Sequence, residues 1–176
     1  MSVRALVPRP CVARTLRRTF FDLPTPGAIQ RFSATRHLPY DVKPLYSLIA
    51  DIDSYRHFLP YCVGSHITKR DPTTNDPTEA DLRVGWGNFD ETFRSRVRCE
   101  PGTNCVEATS ESPLFTKLKA RWEIEKKEQG ADVRLNVEVA FNNPLYAAAS
   151  GAVAPKLAQI MVEAFEKRAG DVLGKK

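Results

Sequence analysis

The sequence predicts an α+β fold in which a curved antiparallel sheet of about seven strands wraps around a long C-terminal helix. Stretches between residues 61 and 141 alternate apolar and polar side chains with a period of two, as strands with one buried face do. Most of them are joined by short turns, which favours hairpins and antiparallel pairing. A single helical stretch follows Asn143-Pro144.

The first elements are predicted to be short. Residues 32–38 alternate weakly and predict a first strand. Two short helices are expected next. One begins at Tyr40-Asp41, and the other is capped by Asp51 or Asp53, because aspartate is a preferred N-cap residue. The strand that follows is expected to bury residues of one parity, namely Tyr61, Val63, Ser65 and Ile67.

Five further strands are defined by their inward-facing residues. Strand by strand, these are Leu82, Val84 and Trp86; Phe89, Phe93 and Val97; Val106 and Ala108; Leu118, Ala120, Trp122 and Ile124; and Val133, Leu135, Val137, Val139 and Phe141. Gly85-Trp86-Gly87-Asn88 predicts a tight connection, and Pro101-Gly102 suits the centre of a type II turn. Cys99 and Cys105 flank that turn and are expected to be reduced.

The long helix is predicted to start after Asn143-Pro144 and to run to about Gly170. Its first half, residues 147–154, consists almost entirely of small side chains, whereas its second half carries Leu157, Ile160, Met161 and Phe165. Either large sheet residues fill the space beside the small half, or that space is kept for a ligand. Pro155 is expected to kink the helix or to split it after Gly151.

The positive charge of the chain is concentrated at its N-terminus. Residues 1–36 hold seven arginines, no lysine and one acid, Asp22, whereas the whole chain has a net charge of +5. The remainder is therefore close to neutral and gives no argument for nucleic-acid binding. An Arg-rich, acid-poor segment with Ser and Thr is typical of a mitochondrial transit peptide. We predict a presequence over residues 1–32 and one domain over residues 33–176; the alternative is a disordered basic tail.

Few residues suggest chemistry. The three histidines have neither a neighbouring nucleophile nor ligand spacing, so His37, His57 and His66 are expected at the surface and no metal site is expected. Glu91 shares the inward parity of its strand, which predicts a polar cavity role or a bulge. Lys156 is a second candidate for a polar cavity residue, since it lies near the buried stripe of the helix, where its stem could run outward.

The apolar corner Phe58-Leu59-Pro60-Tyr61-Cys62 suits core packing, the rim of a pocket or a membrane-facing surface. Continued through Val63-Gly64-Ser65, and together with four other segments, it resembles the mitochondrial coenzyme Q-binding family of the Coq10 type, which belongs to the START-like, polyketide cyclase-like helix-grip proteins. The other segments are Ala50-Asp51-Ile52-Asp53-Ser54-Tyr55, Val84-Gly85-Trp86-Gly87-Asn88-Phe89, and Asn143-Pro144-Leu145-Tyr146 with Ala164-Phe165-Glu166-Lys167-Arg168-Ala169. The resemblance covers residues 36–170.

The resemblance implies a lipid-sized tunnel that binds ubiquinone (coenzyme Q), with no catalysis and no catalytic cofactor. It also implies a carrier or chaperone for respiration and ubiquinone biosynthesis, held peripherally on the matrix side of the inner mitochondrial membrane, with respiratory or ubiquinone-synthesis complexes as possible partners. The tunnel is expected to be lined by Leu59, Pro60, Tyr61, Leu82, Val84, Trp86, Phe93, Trp122, Ala149, Ala152, Val153, Leu157 and Ile160. The alternatives are a cyclase or aromatase on the same fold and a module that associates with ribosomes or respiratory complexes.

Overall fold

The computed structural model describes residues 27–86, 89–143 and 154–174. Their secondary structure follows the predicted order. The strands are β1 Gln30–Leu38, β2 Cys62–Arg70, β3 Pro77–Trp86, β4 Phe89–Glu100, β5 Cys105–Ser110, β6 Phe115–Lys126 and β7 Ala131–Phe141. The described helices are α1 Val42–Ala50, a 3-10 helix Ile52–His57 and α2 Ala154–Leu173.

All seven strands form one antiparallel sheet in the order β1-β7-β6-β5-β4-β3-β2. Strands β2 to β7 are consecutive neighbours, as hairpin connections require, and β1 pairs with the free edge of β7. The predicted α+β architecture is therefore confirmed. The first strand begins at Gln30, slightly before the predicted domain boundary at residue 33, and that boundary stays a prediction.

The sheet curves around α2. At one edge, Arg36 of β1 pairs with Glu163 and Glu166 of α2 at 3.2 and 3.1 Å. At the other edge, Tyr55 and Phe58, which precede β2, contact Phe165 of α2. A flat sheet of seven strands would separate its edges by about 29 Å, far more than the width of one helix. Helix α2 thus contacts one edge strand and the segment that leads into the other, an arrangement that a sheet bent around the helix allows.

Phe165 is the centre of an aromatic group in the interior. It is 2% exposed. Its ring lies 4.6 Å from Trp122, 5.0 Å from Phe58 and 5.3 Å from Tyr55, all in edge-to-face geometry. Such ring pairs stabilise a core beyond their buried area. We call Phe165, its three ring partners and the residues around them the filled end.

Helix α2 buries one stripe of its surface. Its buried residues follow the three- and four-residue spacing of an amphipathic helix and are Ala158, Val162, Phe165 and Ala169. The helix extends to Leu173 rather than ending near Gly170. The stretch of small residues 147–153 and the break predicted after Gly151 lie outside the described residues.

The predicted parity of β2 is wrong at its start. Tyr61 and Val63 were expected to be buried but are 38% and 54% exposed, whereas Cys62 is buried. The physical reason is a register shift between Cys62 and Gly64 in the pairing with β3. A bulge of this kind adds a residue to one strand and reverses which face its side chains occupy. Ser65 and Ile67, beyond the bulge, are buried as predicted.

The predicted type II turn at Pro101-Gly102 is also wrong. That turn would need a positive φ at Gly102, but the positive φ in this connection belongs to Asn104, at 52°. The Thr103 N–H donates to the Glu100 carbonyl at 3.1 Å, and the Asn104 carbonyl accepts from the Ile124 N–H. Asn tolerates this backbone region better than most residues, so it takes the place expected for glycine.

Candidate functional site

An apolar cavity of about 230 Å³ lies between the sheet and α2. Most of its wall consists of inward-facing sheet residues: Leu82, Val84, Phe93, Ser95, Val97, Val106, Ala108, Phe115, Leu118, Ala120, Trp122, Val137, Val139 and Phe141. Helix α2 contributes Leu157 and Met161, and the segment from the 3-10 helix to β2 contributes Ile52, Tyr55, Leu59, Pro60, Tyr61 and Cys62. The cavity is thus enclosed on several sides by regular secondary structure.

Two short side chains help to create this space. Ala108 of β5 and Ala120 of β6 stand directly opposite each other in the sheet, and both line the cavity. Cross-strand partners in a sheet are close enough for their side chains to touch, so larger residues here would project into the same volume. The hollow therefore follows from side-chain size on the sheet itself.

A second aromatic group, separate from that around Phe165, lines the cavity. The rings of Phe93 and Phe115 lie 5.1 Å apart, and those of Phe115 and Phe141 lie 5.4 Å apart. With Leu114 and Val139 they form a buried cluster separate from that around Phe165. We call this cluster, together with Ala108 and Ala120, the open end of the interior. The name refers to the unfilled space beside these residues and not to the opening of the cavity to solvent.

The cavity is electrically neutral at physiological pH. Its described lining contains no Asp, Glu, Lys, Arg or His. The pKa of the Tyr55 hydroxyl is raised by burial, and this hydroxyl donates a hydrogen bond to the Ile49 carbonyl. Burial also raises the pKa of the Cys62 thiol, outweighing the opposing effects of its hydrogen bond to the Gly64 carbonyl and of Arg56. Such a lining suits an uncharged, mainly apolar ligand.

Residues at the start of β2 mark the opening of the cavity. Pro60 and Tyr61 line it and are also exposed to solvent, while Leu59 is buried beside them. Tyr61 has a φ of 65°, an unfavourable conformation for a bulky residue. Its carbonyl accepts a hydrogen bond from the Gly85 N–H at 2.9 Å, which helps to hold this conformation against β3.

Asp53 fixes the segment behind the opening. Its carboxylate accepts a hydrogen bond from the Ile67 N–H at 2.7 Å and pairs with Arg70 at 3.3 Å, so it ties the 3-10 helix to β2. The capping role predicted for its side chain is therefore wrong. Asp51 does occupy the N-cap position, but its side chain makes no capping hydrogen bond and instead accepts from the Ser54 hydroxyl.

The structure brings most of the described predicted tunnel residues together. Those that line the cavity are Leu59, Pro60, Tyr61, Leu82, Val84, Phe93, Trp122 and Leu157. Ile160 and Glu91 are half-buried and Lys156 is exposed, and none of the three lines it. The side chain of Trp86 and residues Ala149, Ala152 and Val153 lie outside the described part of the chain. The binding role of every residue in this set stays a prediction.

Sequence reasoning missed several lining residues. Ala108 and Ala120 were placed on inward faces, but alanine gives no signal of a binding wall. Phe115 was missed because a register shift between Phe115 and Lys117 reverses the parity of β6 at its start. Ser95 was missed because a polar residue on an inward face carries no hydrophobic pattern, although it shares the parity of Phe93.

The described residues offer no metal site. Within residues 27–86, 89–143 and 154–174, no three His, Cys, Asp or Glu side chains are grouped so as to hold an ion. The histidines are exposed, as predicted; His37 lies 2.9 Å from Asp132 and His66 lies 3.5 Å from Asp53. Among the helices that the structure describes, none has the length and apolar composition needed to cross a membrane.

Comparison with known proteins gives a consistent family. The model of the family described as "polyketide cyclase / dehydrase and lipid transport" matches residues 38–166. The mitochondrial coenzyme Q-binding protein coq10 of Schizosaccharomyces pombe is 36% identical over 143 residues, which cover 80% of this chain and 87% of that protein. The ribosome association toxin RatA of Escherichia coli K12 is 31% identical, over 81% of this chain and 88% of that protein.

A solved structure extends the comparison to the fold. The solution structure of an 18 kDa protein from Caulobacter crescentus matches with a TM-score of 0.66 and 26% sequence identity. The match covers 83% of this chain and 99% of that one.

Proposed function

We propose, from the premise that this chain belongs to the polyketide cyclase / dehydrase and lipid transport family and resembles its COQ10 members, that it binds ubiquinone in the apolar cavity. The observation that carries the proposal is the cavity lining, which is neutral and almost wholly apolar. Ubiquinone is uncharged and mostly hydrocarbon, and each methylene transferred from water into such a site contributes about 0.8 kcal/mol. Burial of a few isoprene units is therefore enough for useful affinity.

The size of the cavity sets how much of the ligand it holds. Its volume of about 230 Å³ lies below the usual range for small-molecule pockets, roughly 300–1,000 Å³. A complete polyprenyl quinone with a long tail does not fit in that space. We infer that the cavity takes one end of the ligand and that the remainder runs through the opening at Leu59, Pro60 and Tyr61. The predicted helix residues Ala149, Ala152 and Val153 would border the same path.

We propose a carrier or chaperone role without catalysis, in support of respiration and ubiquinone biosynthesis. General acid or base catalysis needs a titratable group within reach of the substrate. The described lining has Tyr55, Tyr61 and Cys62 as its titratable side chains, and the raised pKa values of Tyr55 and Cys62 keep those two neutral. This is a weak basis for the cyclase chemistry named in the family description.

We propose a mitochondrial location, peripheral on the matrix side of the inner membrane. The Arg-rich composition of residues 1–36 and the mitochondrial names of the COQ10 relatives support targeting. Exposed apolar residues beside the cavity opening, Pro60, Tyr61 and Val63, support contact with a bilayer from which a quinone can enter. A ribosome-binding role like that named for RatA is less well supported, because residues 37–176 are close to neutral.

Binding is tested on the purified chain in two steps. Organic extraction followed by mass spectrometry identifies lipids that co-purify, and titration with a short-chain ubiquinone is followed through tryptophan fluorescence, since Trp122 lines the cavity. We expect saturable binding of added quinone.

The outcome that overturns the proposal is clear. If no quinone or other lipid is extracted and added ubiquinone does not bind, the cavity is not a quinone site. Salt-resistant association with liposomes, without co-sedimentation with ribosomes, separates the membrane role from the ribosomal one.

A further inference from the structure

Three buried serines lie on the sheet, and they differ in how their hydroxyl groups are satisfied. Ser65 accepts a hydrogen bond from the Arg56 N–H at 3.1 Å and donates to the Asp53 carbonyl at 3.0 Å. Ser110 donates to the Arg94 carbonyl at 2.6 Å. Ser95 is the most buried of the three, at 2% exposure. Within the described residues its hydroxyl makes no hydrogen bond, and it faces the cavity.

The surroundings of Ser95 are mainly apolar. On β4 it lies between the inward-facing Phe93 and Val97, and across the sheet it faces Ala80 of β3. Its hydroxyl is not one of the described side-chain atoms that are both sealed from solvent and unpartnered, so it is reached from the cavity. A ligand that filled the cavity without a hydrogen bond to this hydroxyl would leave it buried and unsatisfied, which costs about 1–3 kcal/mol. The other described hydroxyl deep in the cavity, on Tyr55, is already committed to the Ile49 carbonyl. The Ser95 hydroxyl is therefore a group deep in this mainly apolar space to which a ligand can form a hydrogen bond.

We propose that Ser95 binds a ring oxygen of the quinone headgroup and so fixes the ligand with its ring innermost and its isoprenoid chain toward the opening. This inference rests on the proposed function. A serine hydroxyl both donates and accepts. It can therefore donate to a carbonyl oxygen of the quinone and accept from a hydroxyl group of the reduced quinol, which lets one residue hold both redox forms.

The position of Ser95 along the sheet agrees with this orientation. The opening lies beside Val84 of β3. Val84 pairs on one side with Cys62, the first residue of β2, and on the other side with Glu91 of β4. Ser95 follows Glu91 by four residues on the same strand, which corresponds to roughly 13 Å along β4. A headgroup at Ser95 leaves a path of that length for the first isoprene units, between Phe93 and the opening.

The test compares Ser95→Val with Ser95→Thr, because valine and threonine have nearly the same shape and differ in the hydroxyl group. Affinity is measured for a short-chain ubiquinone and for squalene, a polyprene without oxygen. We expect Ser95→Val to bind the quinone about 3- to 10-fold more weakly than Ser95→Thr, the usual range for one lost hydrogen bond. Both variants should bind squalene equally.

Equal quinone binding by the two variants would overturn the role of Ser95 while leaving the proposed function intact. Failure of the unmodified protein to bind ubiquinone, with squalene still bound, would instead overturn the quinone proposal itself. Infrared spectra of ubiquinone bound to the unmodified protein give a measurement that needs no variant. A hydrogen bond lowers the frequency of one carbonyl band, and two unshifted bands would contradict the proposal.

Discussion

Strand β6 runs from one kind of interior to another. At Trp122 it meets Phe165 of α2 at a ring distance of 4.6 Å, inside a group of four aromatic side chains drawn from three different elements. Two to seven residues earlier, Ala120, Leu118 and Phe115 face the cavity, which one side of Trp122 also lines. The aromatic contacts at this open end, between Phe93, Phe115 and Phe141, join residues of the sheet to one another.

This difference indicates that the two ends have separate tasks. The filled end joins the sheet, the 3-10 helix and α2, so its packing holds the elements of the domain together. The open end keeps space that a single large side chain would remove. Stability and ligand capacity should therefore respond to different substitutions, and the following experiments test that separation.

The largest effect is expected from Phe165→Ala. This change removes a fully buried ring with three aromatic neighbours and should lower the free energy of unfolding by about 3–5 kcal/mol. Urea denaturation measures the change through the midpoint of unfolding. The matched variant is Phe115→Ala at the open end, which should cost about 1–2 kcal/mol less because one side of that ring already faces the cavity. Equal losses for the two variants would remove the distinction between the ends.

A reciprocal effect is expected from Ala108→Leu. The added side chain projects into the cavity and should weaken ubiquinone binding at least tenfold, equivalent to about 1.4 kcal/mol, while leaving the free energy of unfolding unchanged or slightly higher. The control is Thr109→Leu, one residue along β5 on the opposite face of the sheet, which should leave binding unchanged. Binding is followed by fluorescence titration and stability by urea denaturation. If Ala108→Leu unfolds the domain, the open end is tightly packed core.

The smallest effect concerns the thiol of Cys99, which is partly buried against the core cluster that contains Phe165. Burial raises the pKa of Cys99 from its ordinary 9.0 to about 11. The folded state therefore favours the neutral thiol, and this contribution to stability is complete below pH 9 and is lost as the pH rises through 11. Partial exposure and solvent screening limit it to on the order of 1 kcal/mol. Between pH 8 and 11, Cys99→Ala should lose less stability than the unmodified chain; identical losses would contradict this.

Much of the fold is predictable from the sequence because its main signal is local. In β7 the residues Val133, Leu135, Val137 and Val139 alternate without interruption and are all buried, since this strand is paired on both sides and has one face on the core. Where the chain departs from regular pairing, the prediction fails. The bulge after Cys62 and the register shift after Phe115 reverse the parity, and nothing in the alternation of residue types marks either position.

The candidate site is less predictable than the fold. Large apolar side chains such as Phe93 and Trp122 identify the inner face, but they do not say whether the space between them is filled. That depends on which short residues meet across the sheet, as Ala108 and Ala120 do, and this pairing is set by register over distant parts of the chain. Likewise, the sequence shows a serine at position 95, but not that its hydroxyl makes no hydrogen bond within residues 27–86, 89–143 and 154–174.

The contacts of Phe165 also have a consequence for the order of folding. Its ring joins residues that precede it in the chain by about forty to more than one hundred positions, Trp122 and Tyr55 among them. The hairpins of the sheet can form as neighbouring strands appear, and α1 covers part of their shared apolar face, but the part that packs on α2 stays uncovered until this helix arrives. A chain that emerges N-terminus first therefore exposes this part of the face until α2 has emerged. Such a chain needs protection from aggregation during that interval, and completion of the core waits for α2.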